Sequence, residues 1–189
     1  MSSLRIISGI ARGRKLRSVP GDTTRPITDR AKEALFNVLG ADIVGASFLD
    51  LFSGSGSVGI EALSRGASHV LFIDINRLPI ETIRANLKKV GLDAGAEVLR
   101  MDAFTLLQRA PSQSFDYVFI APPQYQELWK KAVLTLDQHP DWMGEDAWVI
   151  VQIHQIEYQT FEGDASLKNI REFQQRRYGS TLFVFFERI

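Results

Sequence analysis

The sequence predicts an α/β fold of the doubly wound kind, and three observations predict it. Gly54, Gly56 and Gly59 form a G-x-G-x-x-G loop between an apolar run and an amphipathic run. That is the pattern of a cofactor turn at the first crossover of a parallel sheet. Strand-like and helix-like runs alternate from residue 46 to residue 153, as βαβ units do. The chain then closes with two strand-like runs joined at Tyr178-Gly179-Ser180, a hairpin signature. The expected architecture is a mostly parallel seven-stranded sheet with a C-terminal antiparallel hairpin, preceded by a small N-terminal β-hairpin extension.

The elements follow in order. Residues 4–9 and 15–19 read as two short strands around the basic turn Ala11-Arg12-Gly13-Arg14. Thr28 can cap a helix from Asp29 to Leu39, with Ala31, Ala34, Leu35, Val38 and Leu39 at helical spacing. Strands are expected at 46–52, 69–74, 97–101, 115–120 and 147–153, with helices at 58–65, 77–90, 103–109 and 127–137 between them. Gly66 and Gly91 stop two of those helices. Residues 115–120 are nearly all apolar, as a strand buried on both faces should be. The closing strands are 169–177 and 181–187. Two regions are expected: residues 1–24 as the basic extension and 25–189 as the catalytic domain. Residues 155–168 read as a lid or as a plain connector.

Composition excludes several classes. The 189 residues include no cysteine, which removes disulfides, thiolate metal sites and cysteine nucleophiles. No histidine pair has metal-ligand spacing, so no metal is expected, and His69, His139 and His154 read as surface or strand-edge residues. Trp129, Trp142 and Trp148 read as core. No run is long enough to span a membrane, and the first residues carry no apolar leader segment. A cytoplasmic monomer is expected. The net charge is zero, but residues 1–40 hold eight Lys or Arg against three acids. That clustering points to a polyanionic partner. The candidate contacts are Arg5, Arg12, Arg14, Lys15, Arg17, Arg25 and Arg30.

The glycine loop alone fits dehydrogenases and S-adenosyl-L-methionine (SAM) enzymes equally. Four features favour SAM. Asp50 precedes Gly54 by four residues, where an acid meets a cationic methionine end better than a pyrophosphate. Asp74 ends the second strand and can hold ribose hydroxyls. Asp102 ends the third strand, with Met101 and Ala103 placed to flank an adenine. Pro122-Pro123 after the fourth strand forms a rigid loop that can present carbonyls to a base amine. Each acid alone could be a turn former; three at consecutive strand ends point to a ligand crevice.

These motifs resemble the RsmD family of bacterial 16S ribosomal RNA guanine-N2 methyltransferases over nearly the whole chain. The resemblance is carried by Arg5-Ile6-Ile7-Ser8-Gly9, by Gly13-Arg14-Lys15-Leu16, by the run from Thr24 to Asn37, by the run from Asp50 to Ala67, and by Arg176-Arg177-Tyr178-Gly179-Ser180-Thr181. It implies a Rossmann-like SAM-dependent methyltransferase fold. It implies SAM at Asp50, Phe52, Gly54, Gly56, Asp74 and Asp102, to which Gly59, Ile75, Met101 and Ala103 are added as cofactor candidates. It implies Arg25, Pro26 and Arg30 near the mouth of the site and an assembled small ribosomal subunit as partner.

The chain departs from the family at one place. The family pattern after the fourth strand is (Asp/Asn)-Pro-Pro-Tyr; here it is Ala121-Pro122-Pro123-Gln124-Tyr125. The acceptor for the exocyclic amine and the aromatic immediately after the prolines are replaced. The carbonyls of Ala121 and Pro122, the Gln124 amide and the Tyr125 ring are the candidate substitutes; Gln124 and Tyr125 could equally begin the next helix. A binding module without catalysis is the competing reading. An amine methyltransferase acting on DNA adenine or a small molecule, and a dehydrogenase, stand further off.

Overall fold

The computed structural model describes residues 4–21, 27–161 and 166–189. The fold is α/β, with seven strands that are mostly parallel and close in an antiparallel C-terminal pair, and the chain divides into two compact units, residues 1–102 and 103–189.

In the first unit, α1 spans Asp29–Leu39, and its N-cap is Thr28, whose side chain accepts from the Ala31 amide at 3.2 Å. Strands β1 (Ser47–Asp50), β2 (His69–Asp74) and β3 (Ala96–Arg100) pair in parallel. Helix α2 (Ser57–Ser64) follows β1, and α3 (Arg77–Val90) follows β2. Parallel pairing puts the ends of β1 and β2, and so Asp50 and Asp74, on one edge of the sheet. Strand β1 is shorter than the expected 46–52. Ser53 turns the chain there: its amide donates to the Ile73 carbonyl at 2.9 Å, and its hydroxyl donates to the Asp50 carbonyl at 2.7 Å.

Every residue of α2 is buried, which an eight-residue helix beside a sheet achieves only if something covers its outer face. Two glycines explain how both faces close. On the sheet side, a Cβ on Gly59 would lie 2.3 Å from the Phe72 ring. On the outer side, Gly9 has φ +85°, and a Cβ there would lie 1.8 Å from the Ser64 carbonyl oxygen. The N-terminal segment packs against α2 through that contact.

The arm pairs across itself as a short hairpin: the Ile6 amide donates to the Arg14 carbonyl at 3.0 Å, the Gly13 amide to the Ile6 carbonyl at 2.8 Å and the Leu16 amide to the Leu4 carbonyl at 2.8 Å. Residues 4–17 form a single antiparallel bridge, Arg5↔Lys15, and no regular strand. The amides of Ile7 and Ser8 donate to the Glu61 carboxylate at 2.8 and 2.9 Å, and Ile10 donates to the Ser64 carbonyl at 2.8 Å. These three amides anchor the arm to α2. Gly9→Ala is expected to lower stability by ~1–3 kcal/mol through overpacking alone, with ~1–2 kcal/mol more for an L-residue at positive φ. Thermal melting checks this.

In the second unit, α4 (Ala103–Leu107) leads to β4 (Phe115–Ile120), α5 (Leu128–Gln138) and β5 (Met143–His154). Strands β4 and β5 are parallel; β6 (Ile170–Tyr178) and β7 (Thr181–Arg188) form the antiparallel hairpin, with β7 against β5. Trp129 and Trp142 are buried as expected, whereas Trp148 is half-buried against Phe173, at 4.9 Å between ring centroids. No helix among the described residues is long and apolar enough to cross a membrane.

Candidate functional site

Asp50 is the centre of the first unit's site. It ends β1, is 1% exposed, and accepts the Gly59 amide on Oδ2 at 3.2 Å. Burial pushes its carboxyl up to about 7; the Gly59 hydrogen bond opposes that shift and the nearby Asp74 charge adds to it. A buried carboxylate in this state gains most from a cation placed beside it.

The glycine loop runs directly over it. Gly54 and Gly56 have φ of 51° and 76°, a region open to glycine at little cost. Gly56 is the N-cap of α2 and supplies no side-chain cap, so the helix start presents backbone amides. Asp74 ends β2 and accepts the Gly54 amide at 3.1 Å and the Asn76 amide at 2.9 Å. Those bonds fix its carboxylate beside the loop. The Met101 amide donates to the Asp74 carbonyl at 3.0 Å, which brings the end of β3 to the same edge. Phe52, Gly54, Met101 and Asp102 are half-buried, and Ile75 is 56% exposed. Asp50, Gly54, Gly56, Gly59, Asp74 and Met101 are thus linked through neighbouring backbone. Ala103 opens α4 in the second unit and is buried there. The buried carboxylate, the open turn and the strand-end acid fit a cofactor with a cationic end and a ribose.

The basic arm is docked, not loose. Arg5, Arg12, Arg14, Lys15, Arg17 and Arg30 are exposed. Arg5 pairs with Asp29 at 2.7 Å, and Arg14 donates to the Val90 carbonyl at 2.9 Å. The side chains of Arg12, Lys15, Arg17 and Arg30 make no ion pair among the described residues. Lys32, counted with the basic cluster, is fully buried and cannot meet an external anion. Arg25 and Pro26 lie outside the described residues.

In the second unit, β4 runs into Ala121-Pro122-Pro123-Gln124-Tyr125. Ala121 is half-buried, Pro122 is buried, and Pro123, Gln124 and Tyr125 are exposed. Helix α5 begins only at Leu128, so Gln124 and Tyr125 belong to the loop and do not start the helix. Tyr125 and Glu127 have φ of 63° and 53°, a conformation costing ~1–3 kcal/mol for residues with side chains. The 155–160 segment holds them there. Glu157 accepts the Tyr125 amide at 2.6 Å, and Gln159 donates to Glu127 at 3.1 Å. The Tyr125 ring is 63% exposed, 6.0 Å from the His154 ring. A strained, exposed aromatic held from behind is suited to stacking on a flat ligand.

Several of these residues escape a reading of motifs. Ser53, Glu61 and Glu157 act through partners 20, 53 and 32 residues away. The one available signal was Glu61, a lone charge in the otherwise uncharged run Ser57–Ser64.

The α/β order, the glycine turn and the strand-end acids define the methyltransferase class. Residues 4–187 match the family model described as Conserved hypothetical protein 95. The Bacillus subtilis protein YlbH is 42% identical over 151 residues, covering 79% of this chain and 82% of that protein. The ribosomal RNA small subunit methyltransferase D of Escherichia coli K12 is 37% identical over 150 residues, covering 79% and 74%. The solved Escherichia coli structure of yhhF superposes with a TM-score of 0.85 at 30% identity, over 99% of this chain and 98% of that one. The chain belongs to the RsmD family.

Proposed function

We propose that the protein transfers a methyl group from SAM to the exocyclic N2 of a guanine in small-subunit ribosomal RNA, within an assembled subunit. The observation that carries the reading is Asp50, a buried carboxylate in contact with the glycine turn. It favours a cationic cofactor end and disfavours the pyrophosphate of a dinucleotide. When bound, SAM supplies an electrophilic methyl on its sulfonium.

The chain's own residues do the rest. Asp50 balances the cofactor's positive charge, Asp74 receives the ribose, and Asp102 and Met101 with Ala103 serve the adenine. Phe52, Gly54, Gly56, Gly59 and Ile75 complete the cofactor set. The carbonyls of Ala121 and Pro122 and the amide of Gln124 accept from the target amine. Pro123 stiffens the loop, and Tyr125 stacks on the base, as enzymes that act on extruded bases require. Arg12, Lys15, Arg17 and Arg30 meet phosphates, with Arg5, Arg14 and Arg25 beside them. The name of the Escherichia coli relative supports the RNA substrate.

A pH dependence follows from Asp50. Its carboxyl sits near 7 without ligand, so below that pH it is mostly protonated. A cation binds the ionised form. Affinity for S-adenosylhomocysteine, whose amino-acid ammonium stays charged across this range, is therefore expected to rise with pH up to about 7 and then level off. The slope is at most ~tenfold per pH unit. Asp50→Asn is expected to bind more weakly and to lose the slope. Calorimetric titration between pH 5.5 and 7.5 checks both.

Ala121 favours a second reading, a ribosome-binding module without catalysis. Label transfer from methyl-labelled SAM to unmethylated small subunits, with free ribosomal RNA alongside, separates the two. Label in subunits above free RNA is the expected result. Binding of cofactor and subunits with no label supports the module.

A further inference from the structure

Two polar side chains lie wholly inside the first unit and have no place in the cofactor set. Lys32, on α1, and Asn86, on α3, are each 0% exposed. Each touches both the basic arm and the glycine loop. Lys32 Nζ donates to the Arg5 carbonyl at 2.6 Å and to Ser57 Oγ at 2.9 Å. Asn86 Nδ2 donates to the Arg17 carbonyl at 3.0 Å and to the Ser55 carbonyl at 3.2 Å, and its Oδ1 accepts the Arg17 amide at 2.8 Å.

The positions of the contacts matter more than their number. Ser55 and Ser57 flank Gly56, the turn residue with φ 76° that caps α2. Arg5 and Arg17 sit at the two ends of the bridged arm, where Arg5 pairs with Lys15. The two sides of one turn are thus tied to the two ends of one arm, by side chains from two different helices.

Neither tie has slack. A lysine ammonium has three donors, and Lys32 has three partners: Arg5, Ser57 and the Glu61 carboxylate at 3.6 Å. Burial pulls its pKa below the ordinary lysine range, while the charges of Glu61 and Asp29 pull it back. If loop and arm moved apart, a buried donor would lose its acceptor, and such a loss is costly. A side chain that served packing alone would need none of these acceptors.

We propose that Lys32 and Asn86 are positioning residues that lock the arm to the cofactor loop, so that cofactor and RNA bind cooperatively. The inference rests on the reading above, in which the loop holds SAM and the arm meets RNA. A cofactor that orders the turn around Gly56 then orders the arm through both ties. By linkage, RNA on the arm tightens the cofactor by the same factor.

The test uses the full chain, S-adenosylhomocysteine and unmethylated small ribosomal subunits. In the wild type, saturating S-adenosylhomocysteine is expected to tighten subunit binding by about 5- to 150-fold, the usual range of coupling between sites. It is also expected to slow hydrogen exchange at the Ile6, Gly13 and Leu16 amides, which bond within the arm. Ser57→Ala removes only the loop end of the first tie and leaves Lys32 on Arg5 and Glu61. Asn86→Leu removes the second tie. Each is expected to lower the coupling factor, and the double variant to bring it close to one and abolish the exchange effect.

A wild-type factor of one, with both ligands binding separately, would overturn the inference. So would variants that melt at lower temperature yet keep full coupling, because Lys32 and Asn86 would then be structural only. A wild type that fails to bind S-adenosylhomocysteine at all overturns the underlying reading, and this inference with it.

Discussion

Glu61→Ala is expected to lower the melting temperature more than any other single replacement in the first unit. Glu61 is fully buried. Its carboxylate accepts from the Ile7 amide at 2.8 Å, the Ser8 amide at 2.9 Å and Arg65 Nε at 2.8 Å, and it lies 3.6 Å from Lys32 Nζ. Removing one partner of a buried pair costs ~3–5 kcal/mol. Each amide left unsatisfied adds ~1–3 kcal/mol, though such losses do not simply add. At ~2–4 °C per kcal/mol for a chain of this size, the melting temperature should fall by at least roughly 6–20 °C. Glu61→Gln keeps the shape and loses the charge, so it should fall between wild type and alanine. The arm should also become sensitive to protease, more in Glu61→Ala, where the amides of residues 7 and 8 both lose their acceptor, than in Glu61→Gln, which keeps one acceptor oxygen. A melting temperature within a few degrees of wild type would mean that the arm is not held by this carboxylate.

Ala121→Asp is expected to speed methyl transfer by about ten- to 150-fold. The estimate is the worth of a hydrogen bond to a charged acceptor, ~1.5–3 kcal/mol, read as a change in barrier. The position suits the test. Ala121 follows β4 directly and precedes Pro122, so it is biased toward an extended backbone that either residue adopts. Holding donor and acceptor together can supply ~7–11 kcal/mol by itself, which is why the wild type is expected to turn over without the carboxylate. Single-turnover rates on the same subunits measure the difference. If Gln124 and Tyr125 compensate, Gln124→Ala and Tyr125→Ala should each slow the wild type. Unchanged turnover in both would show that the loop works through its backbone carbonyls alone.

Elements specified by nearby residues were readable from the chain. Helix α1 falls on Asp29–Leu39 as expected because Thr28 caps it and its apolar positions repeat at helical spacing. Helix α3 falls on Arg77–Val90 because Gly91, at φ 68°, ends it. Elements decided by distant partners were not. The arm pairs across itself through Ile6, Gly13 and Leu16, but its attachment to α2 through Glu61 and Ser64 has no local signal. Strand β5 begins at Met143, four residues before the expected start at 147. In the structure Gly144, Glu145 and Asp146 lie in the irregular pairing between Phe115↔Met143 and Tyr117↔Trp148.

The site divides in the same way. Asp50, Gly54, Gly56, Gly59 and Asp74 stand out by spacing alone, since a crossover turn needs those residue types at those intervals. Lys32, Asn86 and Glu157 do not. A lysine on α1 reads as surface charge until the fold brings Arg5 and Ser57 to it. Glu157 reads as a connector residue until the strained backbone of Tyr125 shows what it holds.

The most direct measurement is the identity of the modified nucleoside. Small subunits lacking guanine-N2 methylation, incubated with labelled SAM and the wild-type protein, are digested to nucleosides and separated. Label in N2-methylguanosine is the predicted result. Label in another nucleoside, or none while SAM and subunits both bind, would contradict the account.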